Sequence, residues 1–298
     1  MHTHTEHDTD PILQETIAAI RQILGAELGA IFIERIVIGI FFTGVKLSNG
    51  IGGACATPIK TIPEAVCCPS SAMAMPFPGR LRGRRALDLL KEIGAVSGIR
   101  RAVGIAVVNA LADLCWDRRP LPNVELRHNL DAFDATEIGP NDTVAIVGAF
   151  VPFLRALRRR NIPYLVLEND PGTLKPDELP FFRPAEQAHA ILPTVDVALI
   201  TGTTLANDTL DDLLGHIRPD ARVTLVGPTV SLLPDAFLRR GVDIVGGVRI
   251  TAPDEFLDVL AEGGSGYHFF GRSAERVVLQ RRRVPREGAD PGVEQALG

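Results

Sequence analysis

No apolar run in this sequence of 298 residues reaches the ~20 residues that a membrane-spanning helix needs. An excess of positive charge is missing too. The formal net charge is −5, which leaves no electrostatic footprint for nucleic acid. The basic stretches at 80–85, 155–160 and 281–283 read as solvated helix faces and a polar tail. The first ten residues, MHTHTEHDTD, are polar and acidic, unlike a signal or transit peptide, so a cytoplasmic protein is expected. Cysteine is scarce, at Cys55, Cys67, Cys68 and Cys115. None is followed by another at the roughly two to four intervening residues usual for zinc. Adjacent Cys67 and Cys68 do not easily share one tetrahedral ion, so all four are expected as reduced thiols.

Signature motifs are lacking as well. There is no phosphate loop ending in Gly-Lys-Ser/Thr, no Gly-x-Ser-x-Gly elbow and no His-Glu-x-x-His. His128, His189, His216 and His268 are scattered, with no second histidine at helical spacing, and read as surface or core residues. His2, His4 and His7 lie in a tail that must be ordered, at full entropic cost, before it holds a metal.

What is present is a globular composition: 46% hydrophobic and 22% charged, long enough for one large or two ordinary domains. Residues 1–10 read as a disordered tail. Ile12, Thr16, Ile17, Ile20, Leu24 and Leu28 recur at helical spacing, with Pro11 fit for a first turn, so 11–28 reads as an amphipathic helix. Apolar runs at 35–41, 44–47 and 51–57, with Ser48-Asn49-Gly50 as the turn between the last two, read as an antiparallel meander. Helices follow at 84–93 and around Ile99 to Leu114. The Pro- and Ser-rich connection 58–83 is long for a compact domain and suits a covering loop.

After a Pro- and Arg-rich stretch at 117–129 the pattern changes. Short apolar runs at 143–147, 164–167, 196–200, 223–226 and 243–245 alternate with helices at 152–160, 184–191, 210–217, 234–240 and 254–260. That alternation implies βαβ crossovers and a parallel sheet covered on both faces. The expected architecture is therefore α/β: an N-terminal α+β domain over 11–118, a Rossmann-like parallel-sheet domain over 119–280, and a polar tail over 281–298.

The turns at the strand ends collect the candidate binding residues. After the first parallel strand come Gly148, Phe150 and Pro152, without the further glycines that let a pyrophosphate approach the backbone. Glu168 ends the second strand, where nucleotide-binding folds place a ribose-binding acid. Thr201, Gly202, Thr203 and Thr204 follow the third strand, with Asn207 beyond them and Thr209 to Asp212 as a capping box. Gly227, Pro228 and Thr229 follow the fourth. Threonine hydroxyls and backbone N–H groups near helix starts suit a carboxylate or phosphate better than a soft metal.

The segment VDVALITGTTLANDTLDDLL (195–214) resembles the central signature of the putative heavy-metal chelation family. So do VAIVGAFVPFLRALRRR (144–160), LEND (167–170), RIVIGIFFTGVKLSNGIGGACATP and GIAVVNAL, and the likeness spans about 11–280. The resemblance implies an enolase N-terminal-like first domain and a Rossmann-like second one. It also implies heavy-metal handling, or the making or modifying of metal chelators. The expected function is binding of a small anionic ligand, such as a metal chelate, at the carboxyl edge of the parallel sheet and between the domains. An enzyme using a nucleotide or S-adenosylmethionine-type cofactor in the same cleft is one alternative. Direct metal sequestration by thiols and histidines, including Cys67 and Cys68, is another. No nucleic-acid or membrane partner is expected, and a homodimer is the default assembly.

Overall fold

A computed structural model describes residues 10–59, 77–94, 98–121 and 123–282. The first described element is helix Pro11–Leu24, whose buried face is Ile12, Leu13, Thr16, Ile17, Ile20 and Leu24. It ends earlier than the apolar spacing suggests. Gly25 takes a positive φ of 50° and the chain tightens into a 3-10 segment, Gly25–Ala30, that buries Leu28 separately. Asp10, read as part of the tail, is instead buried and caps this helix, its carboxylate accepting from the N–H groups of Ile12 and Leu13.

Three strands then form the antiparallel sheet β1 (Ile33–Ile38), β2 (Phe42–Leu47) and β3 (Gly52–Ala56). The helix Gly98–Arg118 packs on β2 and β3 and buries all but a few of its residues. A helix with apolar residues on every side belongs inside a protein, and here it lies between this small sheet and the second half of the chain. The approach is close enough to require glycine. A Cβ on Gly53 would sit 2.2 Å from the Ala106 carbonyl oxygen and 2.5 Å from the Ala110 nitrogen. Both are helix backbone atoms that cannot swing away. Gly53→Ala is therefore expected to destabilise by about 2–3 kcal/mol, the upper part of the range for overpacking, read as a lower urea midpoint.

The second sheet holds β4 (Val124–His128), β5 (Val144–Val147), β6 (Tyr164–Glu168), β7 (Phe182–Pro184), β8 (Val197–Thr201), β9 (Arg222–Val226), β10 (Ile244–Ile250) and β11 (Ala274–Arg281). Their order is β4-β11-β10-β9-β8-β5-β6-β7. From β10 across to β7 all pairs are parallel. β11 runs antiparallel between β10 and β4. The five parallel strands expected from sequence are present, and β5 and β8 are buried along their whole length. Unexpected are β4, β7 and β11. β4 is a polar edge strand inside the stretch read as a linker, and β11 extends the sheet through Arg281, where a tail was expected.

One connected cluster of buried apolar side chains joins the two halves, from Ile12 and Leu13 through Val107 and Leu111 to Leu205, Leu233 and Leu279. Among the described residues no helix is long and apolar enough to cross a membrane.

Candidate functional site

Strand order reverses in the middle of the large sheet. The chain builds β5, β6 and β7 in one direction, then returns to lay β8, β9 and β10 on the other side of β5. The turns after β5 and β8 therefore leave the sheet in opposite directions, and such a switch point at strand carboxyl ends is where open α/β sheets hold ligands. Four of the sequence-selected turns lie here side by side, on β9, β8, β5 and β6 in that order.

They touch each other. Gly148 has a φ of 88°, and a Cβ on it would lie 2.3 Å from the Thr201 Oγ1, so the β5 turn is pressed against the β8 turn. The Ala149 N–H donates to Glu168 Oε2 at 2.9 Å, which ties the β5 turn to the β6 end. The Gly202 N–H donates to the Val226 carbonyl at 2.7 Å, and a Cβ on Gly202 would meet Thr229 at 3.0 Å. Gly227, at φ 120°, turns the chain out of β9.

Several candidate side chains are already committed within this rim. Glu168 Oε1 accepts from the N–H groups of Asn169 at 2.8 Å and Asp170 at 3.4 Å; with Ala149 on its other oxygen, it braces the rim from inside. The Thr204 hydroxyl donates to the Thr201 carbonyl at 2.8 Å and is buried. Thr209 does not cap the helix Leu210–Gly215; its backbone is helical and its hydroxyl donates to the Thr204 carbonyl instead. The expected capping box is thus absent, because the short helix Thr203–Ala206 already occupies the turn. Asn207 closes that helix and is exposed.

What remains open at the switch point is narrower. Thr203 is exposed, its Oγ1 2.7 Å from that of Thr201. Phe150 precedes the helix Val151–Arg159 without a side-chain cap, with Pro152 in the first turn. Pro152 has no N–H to offer and the N–H groups of Phe153 and Leu154 donate to the Phe150 carbonyl, so this helix start presents chiefly the positive end of the helix dipole. Gly148, Phe150, Gly227 and Pro228 are half-buried around it.

The first half of the chain grips the β9 turn from behind. Asn109, on the Gly98–Arg118 helix, donates its amide to the carbonyls of Ala54 at 2.6 Å, Pro228 at 3.1 Å and Thr229 at 3.1 Å. The Ala56 N–H donates to the Thr229 hydroxyl at 2.9 Å. Thr229 is therefore 1% exposed and serves the seam. The other end of the β8 turn is held by Arg101, which donates to the Leu205 carbonyl and pairs with Asp10 at 2.8 Å and Asp208 at 3.0 Å.

Cys55 and Cys115 are buried free thiols, and burial pushes both up to about 12. They stay protonated and unreactive at neutral pH. Cys67 and Cys68 lie outside the described residues. A surface depression lined by Glu125, Glu137, Gln280, Arg281 and Arg282 sits at the amino edge of the sheet, away from the rim.

Sequence reading passed over one cluster. His189, Asp212 and His216 offer ring nitrogens and a carboxylate oxygen all within 4.8 Å of one another. The spacing of Asp212 and His216 places both on one helix face, but only the fold brings His189 to them.

Two family models, both described as "Putative heavy-metal chelation", match residues 131–279 and 21–112. An uncharacterized protein of Methanocaldococcus jannaschii is 28% identical over 180 residues, 59% of this chain and 64% of that protein. The match thus spans less than two thirds of that relative's length. Two crystal structures of proteins with unknown function, assigned to the family of the first model, share the fold. The one from Pyrococcus horikoshii superposes with a TM-score of 0.68 at 18% identity, covering 90% of this chain and 99% of that one. The one from Desulfitobacterium hafniense gives 0.62 at 18% identity, covering 89% and 99%.

Proposed function

Since the chain belongs to the family described as "Putative heavy-metal chelation", we propose that it binds a small anionic molecule at the β5–β8 switch point. The ligand is a metal chelate or the organic chelator itself, and the role is heavy-metal handling or the making or modifying of chelators. The observation that carries this reading is the reversal of strand order between β5 and β8, with the Gly148 and Thr201 turns in contact at that reversal. The uncapped start of Val151–Arg159 supplies positive potential there. With Thr201 donating to its oxygen, the exposed Thr203 hydroxyl has its own proton to offer a ligand. The seam through Asn109 and Thr229 holds the neighbouring turn still, so less ordering is left for the ligand to impose.

A nucleotide-type cofactor draws no support from Glu168, whose two oxygens accept from three backbone N–H groups and leave no free acid for a ribose. Thiol sequestration draws none from the buried Cys55 and Cys115.

Gallium(III) citrate is a suitable probe, being an anionic chelate of a hard ion that imidazole binds poorly. Calorimetry is expected to show saturable binding to the wild type. Thr203→Val keeps the side-chain shape and removes the hydroxyl. A hydrogen bond to a charged group contributes about 1.5–3 kcal/mol, so at least a tenfold loss of affinity is expected. Equal affinity in the two proteins counts against the proposal.

A further inference from the structure

We propose that His189, Asp212 and His216 form a second, separate site on the helical layer that takes a divalent transition cation of the Zn2+ or Cu2+ class. It goes beyond the switch-point reading and stands or falls independently of it.

The donors come from two helices on either side of β8 in sequence. His189 is on Ala188–Ile191 before the strand. Asp212 is on Leu210–Gly215 after it, and His216 is the residue that ends that helix. His189 lies on the connection that leads into β8 and His216 on the one that leads into β9, whereas the switch-point turns follow the carboxyl ends of their strands. His189 Nε2 is 3.4 Å from Asp212 Oδ2, and one ligand atom from each of the three residues lies within 4.8 Å of the other two. The two rings lie with centroids 4.0 Å apart, tilted by 58°. Donors about 2.0–2.2 Å from a tetrahedral zinc are themselves about 3.3–3.6 Å apart. The present spacing is therefore within a small side-chain adjustment of coordination. The side chains are exposed or half-buried (57%, 61% and 34% accessible), so nothing packed prevents that adjustment.

The chemistry of the set selects the ion. Two imidazoles and one carboxylate are nitrogen-rich ligands of intermediate softness, suited to Zn2+ and Cu2+. Ca2+ and Mg2+ want oxygen ligands, and this site offers a single carboxylate. The His216 ring is already held in place, its Nδ1 lying 2.8 Å from the Asp212 carbonyl oxygen. In the neutral ring the proton then sits on Nδ1 and the lone pair on Nε2. A backbone partner that fixes the tautomer is a regular feature of metal-binding histidine. With three protein ligands the ion keeps an open position for water or for an incoming ligand.

The test uses the full chain stripped of metal, with Co2+ as a spectroscopic probe and Zn2+ as competitor. Expected are visible d–d bands that saturate at one Co2+ per chain and are abolished by Zn2+. His189→Ala and His216→Ala should each weaken Co2+ binding at least tenfold, and Asp212→Asn should also weaken it. Thermal midpoints without metal should stay close to the wild-type value, since these side chains lie exposed or half-buried at the surface. Absence of saturable Co2+ bands overturns the proposal. So does binding that survives the combined His189→Ala/His216→Ala change, including binding then lost on replacing His2, His4 and His7, which would place the ion on the N-terminal residues.

Discussion

Replacing Arg101 with methionine is expected to destabilise the protein by about 3–5 kcal/mol at neutral pH, the usual cost of leaving one half of a buried ion pair alone. The Arg101 side chain is 8% exposed and that of Asp10 only 2%. The guanidinium also donates to the carbonyls of Ile93 and Leu205; methionine fills the volume but takes this donor from both, Leu205 keeping the Asp208 N–H at 3.3 Å, and leaves the buried Asp10 carboxylate without its cation. Asp208 is half-exposed, and its share is small because water screens it.

The loss should depend on pH. Burial raises the Asp10 carboxyl above its ordinary value of 3.8, with Arg101 pulling it back down. A carboxyl raised on folding contributes stability that is complete below the unfolded value and lost as pH rises through the folded one. Without Arg101 that folded value moves further up. The variant's deficit should therefore be largest at neutral pH and shrink as pH falls and Asp10 takes up its proton. Urea unfolding of both proteins from pH 7 toward pH 4 checks this; a deficit independent of pH would mean that Asp10 is not the group left stranded.

Asn109→Ala is the second large effect, expected at about 3–4 kcal/mol. The amide serves three carbonyls. Pro228 keeps the Ser231 hydroxyl as a donor, but Ala54 and Thr229 lose this donor inside the protein, at about 1–3 kcal/mol each. A cavity adds to that. The cost is tempered because Asn109 Oδ1 is itself buried without a hydrogen-bond partner, and alanine removes that orphan. Hydrogen exchange should show the damage at the seam, with protection falling first at Ala56, whose N–H is held by Thr229. A variant as stable as the wild type would show that the first half does not hold the β9 turn.

The parallel strands were legible because strands buried on both faces are nearly all apolar, as VAIV and VALIT are. β4 was not. VELRH sits at the sheet edge with mostly half-exposed or exposed side chains, and edge strands carry polar residues that read as loop. β7 has three residues, too few for a periodic signal. β11 pairs antiparallel with β10, a connection that simple alternation of strands and helices does not anticipate.

For the site, composition pointed to turns of glycine and threonine and to the strand-end Glu168, and these lie on the four neighbouring strands β9, β8, β5 and β6. Their internal commitments were not legible. That Glu168 faces the Ala149 backbone, or that Thr229 serves the seam, depends on which turn lies next to which. Arg101 and Asn109 were hidden for a related reason. Each is one polar residue in an apolar helix, and its importance comes from what the other half of the chain places against it.

The claim that the switch point is the binding site is tested most directly by amide chemical-shift changes on adding gallium(III) citrate. The account predicts a contiguous set of shifted amides at Gly148, Ala149, Phe150, Gly202, Thr203 and Gly227, lost in Thr203→Val. Shifts clustered at the amino edge around Glu125 and Gln280, or no shifts at saturating chelate, would contradict it.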